Sequence, residues 1–472
     1  MKPAAVAMLI NGVPVSAGAV LDVIDPATGQ PFAHAPCATS GHLDDAVAAA
    51  RLALPAWSAK AVSERAQILE AMAERLVTHC DWLASILTRE QGKPLAQARD
   101  EIASAVRWMT GTAALRLVDA VNEDNAERYS ITRRLPIGVV GAIAPWNYPL
   151  LLAIFKLAPA LLAGNTLVLK PSPFTPLTTL TFAQLVADLV PPGVLNVLSG
   201  DDALGPWMTS HPGFDKISFT GSTDTGRRIM AAAAPTLKRL TLELGGNDAA
   251  IVLPDADIAG AATALFRGSF GNCGQVCLAA KRIYVHESVF DAFRAAFVAQ
   301  VLQARVGPGN DPETTIGPVN NHQQFARLSA LLDQCRADGL QFAYIGDVPP
   351  GGGYFIPPTI IVAPPEDHDI VQCEQFGPIV PLMSFRCIDD VIAKVNNSPF
   401  GLGGSVWSRD PANGVQVAMQ IRSGTVCINQ PRYLAPDAPF GGMKQSGLGV
   451  EGGLLGLHEY TLTQTLVIQS SP

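Results

Sequence analysis

A cysteine and a glutamate in two glycine-containing segments are the residues of this chain best suited to covalent chemistry. Cys277 ends the segment Phe-Gly-Asn-Cys-Gly-Gln-Val-Cys, and Glu243 lies upstream, directly before Leu244, Gly245 and Gly246. A thiolate can attack an electrophilic carbon, and a carboxylate can later activate the water that releases the product. The two segments therefore predict nucleophilic catalysis through a covalent intermediate on Cys277.

The eight cysteines of the chain show neither a disulfide framework nor metal-ligand spacing. They lie at positions 37, 80, 273, 277, 335, 373, 387 and 427. Such scattered cysteines are typical of reduced thiols in the cytoplasm, and the eight histidines form no cluster with them. A buried structural thiol is the alternative for each cysteine, and the glycine-containing setting distinguishes Cys277 from the others. We therefore expect a cytoplasmic protein without a metal.

A candidate oxyanion donor lies in the segment Pro145-Trp146-Asn147-Tyr148-Pro149. Attack of a thiolate on a carbonyl carbon produces an oxyanion, which needs preorganised N–H donors. The side-chain amide of Asn147 and the backbone N–H of Cys277 are the candidates. An asparagine at such a place is also a common turn residue, so this segment alone leaves both interpretations open.

The composition is that of a large, well-buried globular chain. The chain has 472 residues, of which 48% are hydrophobic and 16% charged, and its formal net charge is -8. One hydrophobic core rarely grows beyond about 250–300 residues, so two or three domains are expected. No basic run is present, and the apolar stretch within residues 1–10 is too short for a signal peptide or a membrane span. Binding to nucleic acid or to a membrane is therefore not expected.

Two successive series of strands and helices are predicted to position these residues. Helical spacing dominates residues 42–117, and five strand-like runs then alternate with helices from residue 137 to residue 244. This alternation is typical of a parallel sheet covered on both faces. A second α/β series follows from residue 248, whereas Tyr129–Leu135 and Thr461–Gln469 alternate in hydrophobicity without belonging to either series. The predicted fold class is α/β.

A glycine turn after the predicted strand Lys216–Thr220 is a candidate phosphate site. It reads Gly-Ser-Thr-Asp-Thr-Gly from Gly221 to Gly226 and opens a helix. The free N–H groups and the dipole of a helix N-terminus favour a phosphate there. The spacing differs from the G-x-G-x-x-G fingerprint, so a plain strand-to-helix turn is the alternative.

Several motifs along the chain occur in the order found in one known family. They are Pro145–Pro149, Lys170–Pro173, Phe219–Thr223, Leu242–Asn247, Phe270–Cys277, Glu374–Pro378 and Pro439–Lys444. With them, the chain from residue 20 to the C-terminus resembles the NAD(P)-dependent, non-CoA-acylating branch of the aldehyde dehydrogenase superfamily.

The resemblance implies a Rossmann-variant parallel-sheet domain, a second α/β catalytic domain and a small β-arm that joins subunits into a homodimer or homotetramer. The implied boundaries are 1–117 and 136–244 for the NAD(P)-binding domain, 245–441 for the catalytic domain, and 118–135 with 457–472 for the oligomerisation segments. The cofactor is expected to be NAD. NADP should be tolerated, because Pro173 stands where strictly NAD-preferring relatives often have a glutamate.

The same resemblance implies roles for individual residues. The catalytic set is Cys277, Glu243, Asn147, Lys156 and Glu451, with Lys156 and Glu451 relaying the proton from Glu243 or, alternatively, being ordinary surface charges. The cofactor set is Ile143, Pro145, Trp146, Lys170, Ser172, Pro173, Gly200, Gly205, Phe219, Gly221, Ser222, Glu243, Leu244, Gly245, Glu374 and Phe376. The substrate set is Tyr148, Leu151, Phe155, Phe270, Arg432, Tyr433, Leu434 and Phe440.

The expected reaction is oxidation of an aldehyde to a carboxylic acid. The substrate set is mostly apolar, which favours a medium-chain or aromatic aldehyde. Because an arginine can bind a carboxylate, Arg432 leaves an acidic semialdehyde open as an alternative substrate. The other interpretation of Arg432 is an arginine that is simply exposed to solvent. Three other classes of protein are disfavoured. A CoA-acylating enzyme would not need Glu243, and a cysteine hydrolase would need a histidine that these motifs lack. A non-enzymatic relative would not need Cys277 with Asn147.

Overall fold

The structure, a computed structural model, describes residues 6–469. Residues 1–5 of the apolar N-terminal stretch and residues 470–472 of the predicted oligomerisation segment lie outside this range. Two large sheets, each packed against helices, and two small antiparallel sheets make up the fold. The predicted α/β class is confirmed.

The N-terminal part contains two short hairpins followed by four helices. The strands are β1 Met8–Ile10, β2 Val13–Val15, β3 Val20–Asp25 and β4 Gln30–Pro36, and the helices are α1 Ser40–Ser58, α2 Val62–Thr78, α3 Cys80–Gln91 and α4 Leu95–Ala113. The apolar spacing explains the helices, because Leu69, Met72 and Leu76 form one buried face of α2. α3 ends where Gly92 adopts the left-handed conformation, at φ 98°.

The first large sheet has a parallel centre and antiparallel edges. Its parallel part consists of β7 Val139–Ile143, α5 Pro149–Leu162, β8 Thr166–Lys170, α6 Leu177–Val186, β9 Leu195–Val197, α7 Leu204–Ser210, β10 Lys216–Thr220, α8 Thr223–Ala233 and β11 Arg239–Glu243. Antiparallel β1 and β2 extend one edge, and β19 Gly447–Leu448 extends the other. The sequence predicts the five parallel strands and misses these three, which are too short to show alternation.

The carboxyl ends of the central strands form one edge of this sheet. Ile143 at the end of β7 pairs with Lys170 at the end of β8, and Thr220 at the end of β10 pairs with Glu243 at the end of β11. Ligands of open α/β sheets bind outside this edge. The topology therefore brings the predicted cofactor residues Ile143 and Lys170 to the same edge as Glu243.

The second large sheet follows directly along the chain. Its elements are β12 Asp248–Val252, α9 Ile258–Phe270, β13 Ala280–His286, α10 Phe290–Leu302, α11 His322–Ala337, β14 Gln341–Ile345, β15 Thr359–Val362, α12 Asp369–Gln372, β16 Ile379–Phe385, α13 Ile388–Asn396, β17 Gly403–Trp407, α14 Pro411–Ala418 and β18 Thr425–Ile428. All neighbours pair in parallel except β14, which is antiparallel to β15 at one edge. The central strands are buried on both faces, as helices on both sides of a parallel sheet require.

A three-stranded antiparallel sheet is separate from the two large sheets. It consists of β5 Ala120–Asp124, β6 Arg128–Pro136 and β20 Thr461–Gln469, and β20, which follows the helix α15 Gly453–His458, forms one edge. The two isolated β-runs of the sequence are thus partners, paired from Thr461 with Pro136 to Gln469 with Arg128. β20 is exposed beyond Thr461. Within residues 6–469, no helix is both long enough and apolar enough to cross a membrane.

Candidate active site

Cys277 follows a strained turn at the end of α9. Asn272 and Cys273 adopt left-handed backbone conformations, at φ 51° and φ 57°, and Gly274 follows at φ 69°. Such conformations are uncommon for residues other than glycine and persist where the surroundings hold them. Here the backbone N–H of Asn272 donates to Gln97 Oε1 at 3.0 Å. The turn leaves Cys277 half-buried, whereas Cys273 is buried.

The side chain of Asn147 is tied to the cysteine segment. Asn147 is buried, and its Nδ2 donates to the carbonyl of Gln275 at 3.0 Å. The carbonyl of Asn147 in turn accepts from Asn272 Nδ2 at 2.9 Å. A side-chain amide has two N–H donors, so one remains for a further acceptor. The sequence-predicted donor and nucleophile segments are therefore brought together.

A buried ion pair that the sequence analysis missed supports this segment. Lys93 Nζ and Glu101 Oε2 lie 2.5 Å apart, and both side chains have no exposed surface. Lys93 also donates to the carbonyl of Asn147 at 2.9 Å, while Glu101 Oε1 accepts from the N–H groups of Leu150 and Leu151 at 3.0 and 3.2 Å. The carboxylate thus satisfies free N–H groups at the start of α5. Nothing in the local sequence distinguishes these two charges from surface charges.

Glu243 is a buried carboxylate without a hydrogen-bond partner among the described residues. Burial raises the pKa of Glu243 well above its ordinary value, the nearby Glu451 carboxylate raises it further, and Lys156 opposes the shift. A carboxyl group with a raised pKa is suited to accept a proton near neutral pH. The segment after Glu243 runs directly against the nucleophile, because a Cβ on Gly246 would lie 2.5 Å from the carbonyl oxygen of Cys277.

Carboxylates surround the thiol of Cys277. Burial raises the pKa of this thiol, and Asp248, Glu374 and Glu243 raise it further, while a hydrogen bond from the N–H of Leu278 opposes the shift. The resting thiol is therefore protonated, and its proton has carboxylates nearby to accept it. Burial likewise raises the pKa of Cys273 to about 12.

Lys156 and Glu451 form a buried pair beside Glu243. Lys156 Nζ lies 2.6 Å from Glu451 Oε1 and donates to Thr220 Oγ1 at 2.7 Å, and the two charged side chains are 0% and 1% exposed. Neither residue is an ordinary surface charge. Glu451 Oε2 has no partner among the described residues and remains able to accept a hydrogen bond. The positions that the resemblance assigned to a proton relay are thus in contact with each other and electrostatically coupled to Glu243.

The adenosine side of the predicted cofactor site lies at the carboxyl edge of the first sheet. Lys170 is buried there, and burial lowers its pKa to about 8, with Asp202 and Asp201 opposing the shift. The hydroxyl of Ser222 caps α8 by accepting from the N–H of Thr225 at 3.3 Å. A Cβ at Gly205 would meet no atom within 4 Å, which leaves open space. A buried ammonium, a helix N-terminus and open space fit a dinucleotide.

The nicotinamide side of the predicted site lies next to the glycine segment. Glu374 Oε1 accepts from the N–H of Gly246 at 3.0 Å, and burial raises the pKa of Glu374 to about 7. The ring of Phe376 meets that of Trp146 edge-on, with centroids 5.3 Å apart. A Cβ at Gly245 would lie 2.7 Å from Glu374 Oε2, so a larger residue there would displace the carboxylate.

The other predicted cofactor residues have packing roles in the structure. Phe219 lies in β10, and a Cβ at Gly221 would lie 2.4 Å from its ring. The backbone N–H of Leu244 donates to the carbonyl of Ser446 at 2.8 Å. Pro145 and Pro173 are half-buried, Ser172 is buried, and Gly200 is buried against Leu204.

The predicted substrate residues lie in four different settings. Tyr148 and Phe440 pack with Cys277 in one apolar cluster. Leu151 and Phe155 lie in the apolar core around the first large sheet, where the ring of Phe155 stacks on Trp108 with centroids 3.5 Å apart. Phe270 lies in the core around the second large sheet, against Phe266 and Phe297. Tyr433 and Leu434 are exposed by 51% and 41%. Arg432 lies beside Gly271, with its Nη2 3.7 Å from where a Cβ on that glycine would be.

Comparison with known proteins agrees with this geometry. The profile of the aldehyde dehydrogenase family matches residues 14–466. The chain is 39% identical to aldehyde dehydrogenase LUC3 of a Fusarium species, covering 98% of each protein, and 38% identical to the NADP-dependent succinate-semialdehyde dehydrogenase GabD of Escherichia coli, covering 96% of this chain and 95% of that protein.

A solved structure shows the same fold. The NAD+ complex of an aldehyde dehydrogenase from Bacillus cereus superimposes with a TM-score of 0.96 at 35% identity, covering 99% of this chain and 97% of that one. The resemblance inferred from the motifs is therefore confirmed. The chain belongs to the aldehyde dehydrogenase family and has the fold of an NAD(P)-dependent oxidoreductase.

Proposed function

We propose that the protein oxidises an aldehyde to a carboxylic acid through a thioester on Cys277, with Glu243 as the base that activates water. The observation that carries this proposal is the placement of a buried, unpaired carboxylate just before a glycine segment that contacts the backbone of Cys277. A CoA-acylating enzyme has no use for such a base, because the thiol of CoA replaces water. A hydrolase would not need a site that fits a dinucleotide.

The first half of the reaction builds a covalent bond to Cys277. The thiol gives its proton to a nearby carboxylate, and the thiolate attacks the aldehyde carbon to form a thiohemiacetal. The free N–H of the Asn147 amide and the backbone N–H of Cys277 donate to the resulting oxyanion. When NAD(P) is bound, it supplies the hydride acceptor that makes this half an oxidation.

The second half of the reaction hydrolyses the thioester. Glu243 removes a proton from water while the water oxygen attacks the thioester carbon, and breakage of the C–S bond releases the acid and restores Cys277. The proton on Glu243 then passes to the Lys156–Glu451 pair, whose free Oε2 accepts it. The raised pKa of Glu243 supports this role, since a stronger base removes a proton from water more readily.

NAD is the proposed cofactor, with NADP tolerated. No carboxylate stands at Pro173, which lowers the barrier to a 2′-phosphate. Asp201 and Asp202 act on Lys170 at the adenosine side and favour the cofactor without the extra phosphate. The test is kcat/KM for each cofactor with one aldehyde. An NADP efficiency more than about 10⁴-fold below that of NAD, equivalent to roughly 5–6 kcal/mol, would contradict tolerance.

The substrate class has two candidates. The apolar cluster of Tyr148 and Phe440 beside Cys277 supports the medium-chain or aromatic aldehyde favoured by the sequence. The alternative, an acidic semialdehyde, is supported by Arg432 and by the likeness to a succinate-semialdehyde dehydrogenase. A panel of hexanal, benzaldehyde, succinic semialdehyde and betaine aldehyde separates them. Fastest turnover of betaine aldehyde would contradict both, because a cation is unsuited to a site beside an arginine.

The proposed organisation follows the family. Residues 1–117 and 136–244 would hold NAD(P), residues 245–441 would carry the nucleophile, and the segments 118–135 and 457–472 would join subunits into a homodimer or homotetramer. We place the protein in the cytoplasm, because all eight cysteines are free.

The direct test of the activity is the absorbance of reduced nicotinamide with aldehyde and NAD, in the absence of CoA. Cys277→Ala should abolish the signal and leave cofactor binding intact, because the thiol acts in the chemistry alone. Cys273→Ala is the matched control and should remain active. Near wild-type turnover in Cys277→Ala would contradict the mechanism, as would a requirement for CoA.

A further inference from the structure

Among the described residues, one cation near Cys277, the guanidinium of Arg432, has no hydrogen-bond or ion-pair partner. Arg432 lies in the loop after β18, at whose start the side chain of Asn429 donates to the carbonyl of Ser408 at 2.8 Å and accepts from its N–H at 3.0 Å. A Cβ on Gly268 would lie 2.5 Å from Pro431, so this part of the loop packs closely on α9. These contacts hold the guanidinium of Arg432 over Gly271, the first residue of the turn that leads to Cys277.

The guanidinium of Arg432 is partly buried and unsatisfied. Its Nη1 has no exposed surface and no hydrogen-bond partner, and among residues 6–469 it is the one buried cationic nitrogen in this condition. No carboxylate of the described part of the chain forms an ion pair with it. Burying a charged donor without an acceptor is unfavourable, so its retention needs an explanation.

The buried carboxylate near Arg432, that of Glu101, already has partners. Burial lowers the pKa of Lys93, Glu101 opposes the shift and Arg432 adds to it, so two cations act on each other here. The nearby carboxylate of Glu101 is already occupied by Lys93 and by the backbone N–H groups of Leu150 and Leu151. Asp100, an exposed residue of α4, is a further carboxylate within electrostatic reach of Tyr148, but it forms no ion pair with Arg432.

Arg432 lies within electrostatic reach of Tyr148, a candidate substrate residue. Burial raises the pKa of the Tyr148 hydroxyl, Arg432 opposes that shift and Cys277 adds to it, so both groups lie within electrostatic reach of Tyr148. Tyr148 packs with Cys277 in the same apolar cluster. A molecule lying along Tyr148 with its aldehyde at Cys277 would present its other end to Arg432.

We infer that Arg432 binds a carboxylate at the end of the substrate opposite the aldehyde, which makes ω-carboxy aldehydes the preferred substrates. This inference rests on the proposed function and selects the acidic class over the neutral apolar class. A guanidinium presents parallel N–H donors that match a carboxylate, and such charge-assisted bonds are about twice as strong as neutral ones. The ring of Tyr148 would cover the apolar body between the two ends.

The experiment compares substrates that differ only in the terminal group. The pairs are succinic semialdehyde with butanal, adipic semialdehyde with hexanal, and para-carboxybenzaldehyde with para-methylbenzaldehyde. For at least one pair, the wild-type kcat/KM should be about tenfold or more higher for the carboxylate, mostly through KM. Glyceraldehyde phosphate against glyceraldehyde serves as the phosphate arm, and a larger gain there would overturn the assignment to a carboxylate.

Variants of Arg432 test whether the preference belongs to this residue. Arg432→Gln should lower kcat/KM for the carboxylate substrates by about 10- to 100-fold and change the neutral ones less than about threefold, since a charged hydrogen bond is lost. Arg432→Lys should restore part of the preference by keeping the charge. Arg409→Gln, at an exposed arginine on the turn after β17, should change neither. Equal loss on both substrates in Arg432→Gln would show a structural role and overturn the inference.

The substrate pairs distinguish a failure of this inference from a failure of the proposed function. Wild-type enzyme that oxidises the neutral aldehydes but shows no carboxylate preference would overturn the role of Arg432 and leave the oxidation mechanism standing. Wild-type enzyme that reduces neither NAD nor NADP with any member of the pairs would overturn the proposed function, and the inference with it.

Discussion

At the scale of single residues, the candidate site contains buried carboxylates, whose raised pKa makes them stronger bases than exposed ones. Glu243 has no hydrogen-bond partner among the described residues, and both burial and Glu451 raise its pKa. Such an arrangement is unfavourable for folding, because an unpaired carboxyl group is removed from water. It is favourable for chemistry, because the group accepts protons at a pH where an exposed glutamate would not.

The pH dependence of turnover should move when Glu451 is neutralised. The Glu451 carboxylate raises the pKa of Glu243, and Lys156 lowers it. Glu451→Gln removes the first effect and frees Lys156 to act, so both changes lower the pKa of Glu243. Glu243 must be deprotonated to act as a base, so the rising limb of kcat should shift to lower pH. The pH profile of kcat measures this, and a shift to higher pH would contradict the arrangement.

At the scale of secondary-structure elements, the start of α5 is a junction, because candidate site residues lie both on this helix and directly before it. α5 carries Lys156, and the segment before it carries Asn147. The Lys93–Glu101 pair holds both, through the carbonyl of Asn147 and the first N–H groups of the helix. A shift of this junction would therefore move the proposed oxyanion donor and the proposed proton relay together.

Removing the charge of Glu101 should lower stability and turnover together. Breaking a buried ion pair leaves Lys93 uncompensated and costs about 3–5 kcal/mol. Glu101→Gln should therefore unfold at a clearly lower temperature and have a lower kcat, while Asp100→Asn, at the exposed neighbouring position of α4, should behave as wild type. Thermal unfolding measures the change in stability of the two variants, and steady-state kinetics measures the change in kcat. Unchanged behaviour of Glu101→Gln would show that the pair does not hold the junction.

The sequence predicts the central strands of the two large sheets, but it does not predict the short strands at the edges of the first one. The strand Lys216–Thr220 was predicted with both ends correct, because a strand buried on both faces reads as a continuous run without alternation. β19, with two residues, carries no pattern, and the hairpin of β3 and β4 was also missed. The candidate site residues came from motifs. Contacts between distant positions, such as Lys93 with Asn147, have no local signal.

At the scale of the whole molecule, the three-stranded sheet has an edge strand with exposed apolar side chains. β20 forms its edge, and Leu462, Leu466, Val467 and Ile468 are exposed along it. An exposed apolar edge strand is a template for pairing with another chain. This supports the proposed role of the segment in joining subunits.

A charge on β20 should disrupt the proposed oligomer. Val467 and Val77 are both 61% exposed, but only Val467 lies in β20. Val467→Asp should lower the molar mass in solution, because a charge at an apolar contact is desolvated without a partner. Val77→Asp, on α2, should leave the mass unchanged. Sedimentation velocity measures both, and an unchanged mass in Val467→Asp would place the subunit contact elsewhere.

The central claim is a thioester on Cys277 that Glu243 hydrolyses, and rapid-mixing kinetics of Glu243→Gln tests it most directly. One equivalent of reduced nicotinamide should form in a burst, followed by a steady rate about 10²–10⁴-fold below wild type. Mass spectrometry of the stalled enzyme should find the acyl group on Cys277. A steady rate equal to that of wild type, or an acyl group on Cys273, would contradict the account.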